Sequence, residues 1–286
     1  MKPEKNPASS RLPAVAFQGE LGAYSELAAI RLGRATPCKS FDAVFESVVG
    51  GRSRFGVLPV ENSLGGSIHQ NYDLLLRHRV RIVAETFVSI DHCLMGVKGA
   101  SVQRATEVLS HPQALAQCQK FFAAHAHLNA VAAYDTAGSA KMVAASQHIS
   151  QLAIASRQAA ARYGLRVLKE HIADEKENVT RFVVIAKPSP ARLPIPAVLR
   201  AKKKTSVVFT LKNEPGSLFN ALAAFTLRKI DLTKIESRPL KRKAFDYIFY
   251  LDFTGDEQEL NVQHALRHLS EQTVMQHVLG SYGEIA

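Results

Sequence analysis

Cysteine is scarce in this chain. Cys38, Cys93 and Cys118 are the only three among 286 residues, and no two of them form a CxxC pair. A secreted chain of this size would carry an even, spaced set, so a disulfide framework is excluded and a reducing, cytoplasmic setting is expected. No apolar run approaches the ~18 residues that a membrane-spanning helix needs. The opening MKPEKNPASSRLP has charge but no apolar centre, so it is not a secretory signal and reads as a disordered tail over residues 1–13. Without a signal, the sequon Asn178-Val179-Thr180 is accidental. Neither GxGxxG nor GxSxG occurs, and the two rings of His125-Ala126-His127 would point apart on a helix, so neither a cofactor nor a metal is expected. Acidic residues are outnumbered, 25 against 36 Lys and Arg, giving +11. The cations are dispersed apart from clusters at 200–204 and 241–243, and no nucleic-acid-binding signature joins them. A small anionic substrate accounts for the balance as well as nucleic acid would.

What is present alternates strand and helix. Strands are expected at 14–17, 56–59, 80–88, 93–97, 130–133 and 152–156. Helices are expected at 25–32, 67–77, 114–126, 136–146 and 158–163. This is an α/β pattern with mostly parallel strands, apolar on both faces. Four prolines and KKK then mark a linker over 188–204. Beyond it come strand 206–211, helix 217–228, strands 232–237 and 245–253, helix 257–271 and strand 274–282. That is βαββαβ, the split ferredoxin-like order.

Five segments carry candidate chemistry. AFQGELGAYSELAA turns from a strand through Gly19 and Gly22 into a helix at Ser25, where free N–H groups can hold an anion or simply form a capped turn. GVLPVENSLGGSIHQNYDLLL delivers Glu61, Asn62, Ser63 and Ser67 at a strand end, where open α/β sheets bind ligands. SHPQALAQC sets His111 and Gln113 around Pro112 at a helix start, and AYDTAGSAKMV caps a helix at Asp135 or Thr136. ENVTRFVVIA places Asn178, Thr180 and Arg181 at the mouth of an apolar strand. Cys118 lies on an apolar helical face and reads as core. Amides, hydroxyls and one arginine without obvious acid–base groups describe a pocket for a small carboxylate. At this level a solute-binding protein and an enzyme both remain open.

The segments FQGELGAYSE, LPVENSLGGSIHQNYDLLL, SHPQALAQC, DTAGSA, NVTRF, EPGSLFNAL and KIESRP make the chain, from Val15 to Tyr282, resemble the prephenate dehydratases, including the plant arogenate dehydratases. SIHQNYDLLLRHR and LTKIESRP are most similar to the plant-type branch, although no long transit region precedes them. The resemblance implies a two-lobed catalytic domain over 14–187, like a periplasmic binding protein. One lobe would be 14–91 plus 171–187 and the other 92–170, followed by an ACT regulatory domain over 205–286. It implies catalytic roles for Asn62, Gln113 and Thr180, and substrate contacts by Tyr24, Ser25, Glu61, Ser63, Ser67, Thr136, Arg181 and Phe182. A phenylalanine site is implied at Gly216, Ser217, Leu218, Asn220, Glu236, Ser237, Arg238 and Pro239. No cofactor is implied, and the partners would be prephenate or arogenate, L-phenylalanine and further copies of the chain in a homodimer or homotetramer. The setting would be the cytoplasm, or the plastid stroma for a mature plant form. On this view Thr180 hydrogen-bonds a departing hydroxyl, Arg181 anchors a carboxylate, and Asn62 and Gln113 orient the ring. The competing expectation for Arg181 is a structural ion pair with Glu61, Asp174 or Glu175.

Overall fold

The computed structural model describes residues 12–188, 203–240 and 247–285. The expected tail and linker therefore lie outside the described residues except at their ends, and the cluster at 241–243 lies outside entirely. In chain order the elements are β1 (Ala14–Gln18), α1 (Tyr24–Ile30), β2 (Arg34–Cys38), α2 (Phe41–Val49), β3 (Phe55–Asn62), β4 (Gly66–Ser67), α3 (His69–Arg77), β5 (Arg81–Ser89) and β6 (Cys93–Gly96). Then follow β7 (Glu107–Ser110), α4 (Pro112–Ala116), α5 (Gln119–Ala123), β8 (Asn129–Ala132), α6 (Thr136–Ser146), β9 (Gln151–Ala155), α7 (Arg157–Tyr163), β10 (Arg166–Lys169) and β11 (Val179–Ala186). The C-terminal elements are β12 (Lys204–Thr210), α8 (Ser217–Thr226), β13 (Leu232–Pro239), β14 (Tyr247–Thr254), α9 (Leu260–Gln272) and β15 (Met275–Glu284). The class is α/β, as expected, and the strands form two sheets. The expected predominance of parallel strands does not hold, because β5 with β11, β6 with β9 and β10 with β6 all pair antiparallel. Among the described residues no helix is long and apolar enough to cross a membrane.

The chain divides into two compact units, one running to Val57 plus Ile90–Lys176, the other Leu58–Ser89 plus Glu177–Ala286. These units are cut differently from the expected lobes: the end of β3, β5 and β11 fall together with the C-terminal module. In the first unit, β1 lies parallel between β2 and the start of β3. A second sheet there runs β10-β6-β9-β7-β8, packed on Leu94, Val108, Phe121, Leu152 and Ile154. The expected helix over 114–126 is broken into α4 and α5. Cys118 leaves the helical region, and the Asp174 carboxylate accepts from the N–H groups of Gln119 and Lys120, both at 2.9 Å, capping a new helix start. Pattern reading passed over β2 and α2, the latter capped by Ser40 Oγ accepting from Ala43 N–H at 3.2 Å.

In the second unit the strand order is β13-β14-β12-β15-β5-β11-β3. The first four are mutually antiparallel and, with α8 and α9, have the ferredoxin-like order over a core of Val207, Phe209, Phe225, Leu251, Phe253 and Leu269. This sheet does not stop at the module's edge. Gly283 and Glu284 of β15 pair parallel with Ala84 and Glu85 of β5, which pairs antiparallel with β11. Gly280 makes the junction possible. A Cβ there would stand 2.1 Å from the carbonyl oxygen of Ile82, so only glycine lets the strands approach.

Candidate active site

The end of β3 and the start of β11 bring Asn62, Asn178 and Thr180 together, at 7, 2 and 7 % exposure. Asn62 Oδ1 accepts from the N–H groups of Leu64 (3.2 Å) and Gly65 (2.7 Å), a side-chain-closed turn that folds Gly66-Ser67 back onto Glu61-Asn62. This hairpin is why α3 begins at His69 and not at the expected residue 67, and why Ser67 is not its cap. Nδ2 of the same amide donates to Asn178 Oδ1 (2.6 Å) and to Thr180 Oγ1 (3.0 Å). An amide nitrogen only donates, so Thr180 Oγ1 is the acceptor and its own proton is left to be given elsewhere. The Asn62 amide is thereby occupied at both ends. Donation from Asn62 straight to a substrate, expected above, does not fit; its place is to hold and orient Thr180. Asn178 joins as a residue that sequence reasoning left without a role, although its N-x-T spacing puts it on the Thr180 side of the strand.

Arg181, next along β11, turns the other way and is 8 % exposed. Nε donates to Glu85 at 2.7 Å, one terminal nitrogen to Asp252 at 2.6 Å, and the other to the Tyr282 hydroxyl at 3.0 Å. Lys204 Nζ completes the charge balance on Glu85 at 2.8 Å. Ser206 donates to the second oxygen of Asp252 and lies in hydrogen-bond contact with Tyr282. Because arginine only donates and a carboxylate only accepts, the Tyr282 proton must go to Ser206, which closes a ring of hydrogen bonds. Burial by itself would lower the Arg181 pKa, but the Asp252 and Glu85 carboxylates more than offset it and keep the guanidinium charged. Arg181 as anchor for a substrate carboxylate is corrected by this geometry: its fork is saturated inside the protein. The ion-pair alternative holds, but with Glu85 and Asp252 as the close partners and Glu61 only at 3.8 Å. Asp174 is instead the α5 cap. Phe182, 1 % exposed, is core.

The β3–β4 hairpin meets β13. Glu61 pairs with Lys234 at 3.0 Å, and Lys234 donates to Ser67 Oγ at 2.8 Å. Ser67 in turn donates to Glu236, which also holds His69. Arg238 reaches Asp73 at 2.6 Å and the carbonyl oxygen of His69 at 3.1 Å. An irregularity between Leu232 and Lys234 sets the phase that turns these three charged residues the same way. Glu236 and Arg238, expected at a phenylalanine site, are thus engaged with the hairpin and α3, while Ser237 and Pro239 are exposed. Nearby, the rings of Tyr72 and Tyr250 are 4.8 Å apart, and both buried hydroxyls lack a hydrogen-bond partner among the described residues, a cost of about 1–3 kcal/mol each. Ser63 Oγ accepts from Val179 N–H at 3.0 Å and so braces the entry to β11.

Burial would raise the Glu236 pKa, but hydrogen bonds from Ser67 and His69 and the charge of Lys234 outweigh it and hold the carboxyl below the usual glutamate range. A depressed carboxyl contributes stability that is present above its unfolded-state pKa and lost as the pH falls through the folded value. The melting temperature of Glu236→Gln is therefore expected to fall less than that of the native protein between about pH 5 and 3. Equal acid slopes in thermal scans would show that the tie adds nothing.

The other expected residues belong to the first unit. Tyr24 donates to the carbonyl oxygen of Asp91 and lies 3.3 Å from His92 Nδ1. Ser25 is inside α1; the cap position is Ala23, and Glu26 accepts from Gly22 N–H, so the proposed anion cradle is filled by the chain's own carboxylate. Gly22 has φ +94°, and a Cβ there would stand 2.8 Å from Ala159 Cα, so packing on α7 accounts for this glycine. Gln113 is exposed on α4 behind the His111 cap, and Thr136 opens α6 behind the Asp135 cap. In the C-terminal module a cavity of about 110 Å³ is lined by Asn213, Ser217, Leu218, Tyr247 and Phe249 among others. Ser217 and Leu218 were expected there; Gly216 and Asn220 do not line it. Among the described residues no group of three His, Cys, Asp or Glu is placed to hold a metal.

The family model described as prephenate dehydratase matches residues 15–190. A chloroplastic arogenate dehydratase/prephenate dehydratase 2 of Arabidopsis thaliana is 47 % identical, over 94 % of this chain and 72 % of that protein. Among solved structures, a prephenate dehydratase of Arthrobacter aurescens in complex with L-Phe superposes with TM-score 0.83 at 29 % identity, covering 94 % of this chain and 89 % of that one. A structure described as GqqA, a novel type of quorum-quenching acylase, also superposes at 0.83, with 32 % identity over 95 % of this chain and 98 % of that one.

Proposed function

This chain belongs to the prephenate dehydratase family, and on that premise we propose that it converts prephenate to phenylpyruvate in L-phenylalanine biosynthesis, as a carbon–oxygen lyase. The observation that carries the reading is the state of Thr180: a buried hydroxyl that accepts from Asn62 and keeps a proton to give. Prephenate loses its ring carboxylate as carbon dioxide. The released electron pair enters the ring, the opposite C–O bond breaks, and the departing hydroxide takes up a proton from solvent to become water, Thr180 keeping its own. Thr180 hydrogen-bonds that leaving oxygen and stabilises the charge growing on it, a contribution of roughly 3 kcal/mol for one well-placed donor. Asn178 and Asn62 fix the direction in which the proton points. The test is direct: purified protein with prephenate should release phenylpyruvate, and absence of turnover with both prephenate and arogenate defeats the reading.

A second reading is favoured by the Arabidopsis relative, whose name carries both activities. Arogenate has an amine where prephenate has a keto oxygen, and the same chemistry on it yields L-phenylalanine directly. Side-by-side kcat/KM values for the two substrates decide the preference.

We assign the C-terminal module as an ACT domain that binds L-phenylalanine at the cavity containing Ser217 and Leu218. The ferredoxin-like order and the L-Phe complex of the Arthrobacter relative support this. Calorimetric titration with L-phenylalanine is expected to give at least tenfold weaker binding for Ser217→Leu, which fills the cavity, and near-native binding for Asn220→Ala. The reverse order would move the site to the outer face of α8. Association through this module as a dimer or tetramer accords with the exposed Phe219 and Leu227, 77 and 73 % accessible. The setting is the cytoplasm, or the plastid stroma in a plant.

A further inference from the structure

We propose that Asp252 is a positioning residue for the dehydration. Through Arg181 it fixes the strand that presents Thr180, and through β14 it ties that strand to the cavity of the C-terminal module. The inference rests on Thr180 acting as assigned above. Its basis is the placement of three neighbours on one strand. Tyr247 and Phe249 of β14 line the cavity, and Asp252 follows three residues later, a distance of about 10 Å along an extended chain. Side chains alternate, so Phe249 faces the helices while Tyr250 and Asp252 face the opposite side, where Arg181 lies. Arg181 is covalently the next residue to Thr180. A strand hydrogen-bonded to β12 and β13 on its two sides moves as a piece, so a displacement that reshapes the cavity also moves the Asp252 carboxylate.

Two features make this more than adjacency. The grip on Arg181 has little slack: the three donor groups of its guanidinium are each held, and Asp252 is held in turn by Ser206. Beside it, the unpartnered hydroxyls of Tyr72 and Tyr250 leave the contact between α3 and β14 imperfectly satisfied, so a second arrangement in which they find partners is within reach. The β13 contacts to Glu61 and Ser67 run alongside and would move with the same strand pair.

The experiment uses full-length protein at a temperature where circular dichroism shows each variant folded. Asp252→Asn keeps shape and one acceptor but removes the charge. It is expected to lower kcat about tenfold with KM within about twofold, and to abolish the response of kcat to L-phenylalanine while calorimetry still shows L-phenylalanine bound. In an Arg181→Lys background the same substitution should change kcat by less than about twofold, because the path is already broken. Should Asp252→Asn not fold, Ser206→Ala removes one support of the carboxylate and is expected to lower kcat about threefold. Native kcat in Asp252→Asn, full additivity with Arg181→Lys, or an unaltered L-phenylalanine response overturns the inference. So does a native enzyme indifferent to L-phenylalanine, for the transmission part. Failure of the native protein on both substrates defeats the assigned function itself, which keeps the two failures apart.

Discussion

Thr180→Val lowers kcat about 100-fold while the protein stays folded: this is the expected result of removing one transition-state donor from the site. Valine has nearly the shape of threonine, and Asn62 retains Asn178 Oδ1 and the Val179 carbonyl oxygen, 3.3 Å away, as acceptors. The structural loss is then one net hydrogen bond, about 1 kcal/mol, or about 2–4 °C in Tm for a chain of this size. Thr180→Ser restores the hydroxyl on a less restrained rotor and is expected to recover kcat to within about tenfold of native. Steady-state kinetics beside thermal scans separate the cases. A Val variant that loses Tm and turnover in proportion would make Thr180 a structural residue.

Arg181→Met is expected to cost stability as well as turnover, with KM little changed. It leaves the Asp252 carboxylate, 4 % exposed, without its cation, and Glu85 with Lys204 alone. Breaking a buried pair from one side costs about 3–5 kcal/mol, because the surviving charge can neither be hydrated nor matched. Tm should fall by about 10 °C. Had Arg181 been the carboxylate anchor that its place in the Thr-Arg-Phe motif implies, the same change would spare Tm and raise KM. Differential scanning calorimetry and a substrate saturation curve on one preparation distinguish these outcomes.

The Arg181 case shows where sequence reading ends. Strand and helix alternation, the ferredoxin-like order and the location of Thr180 at a strand mouth were legible because they depend on neighbours within a few residues. The Arg181 partners are 96 and 71 residues away in sequence, and no local pattern nominates Glu85 or Asp252 over other acids. The same holds for the broken helix: Asp174 caps α5 from more than 50 residues downstream. Helix α2 was different. Ser40 before Phe41, with Val44, Phe45 and Val48 buried on one face, is a local signal that could have been read. Likewise the charges at 234, 236 and 238 announce a strand with one polar face, but not that the face meets Ser67 and His69.

Because β15 is seated against β5 across the Gly280 crossing, severing this protein between residue 187 and the following strand would not liberate a self-sufficient enzyme core. The amputated product would show the bare flank of β5, with Arg181 stripped of Asp252 and Tyr282, Glu85 stripped of Lys204, and unpaired N–H and C=O groups open to any passing chain. Such fragments should clump, and evolution or engineers who wish to exchange the C-terminal module would have to redesign that flank as well.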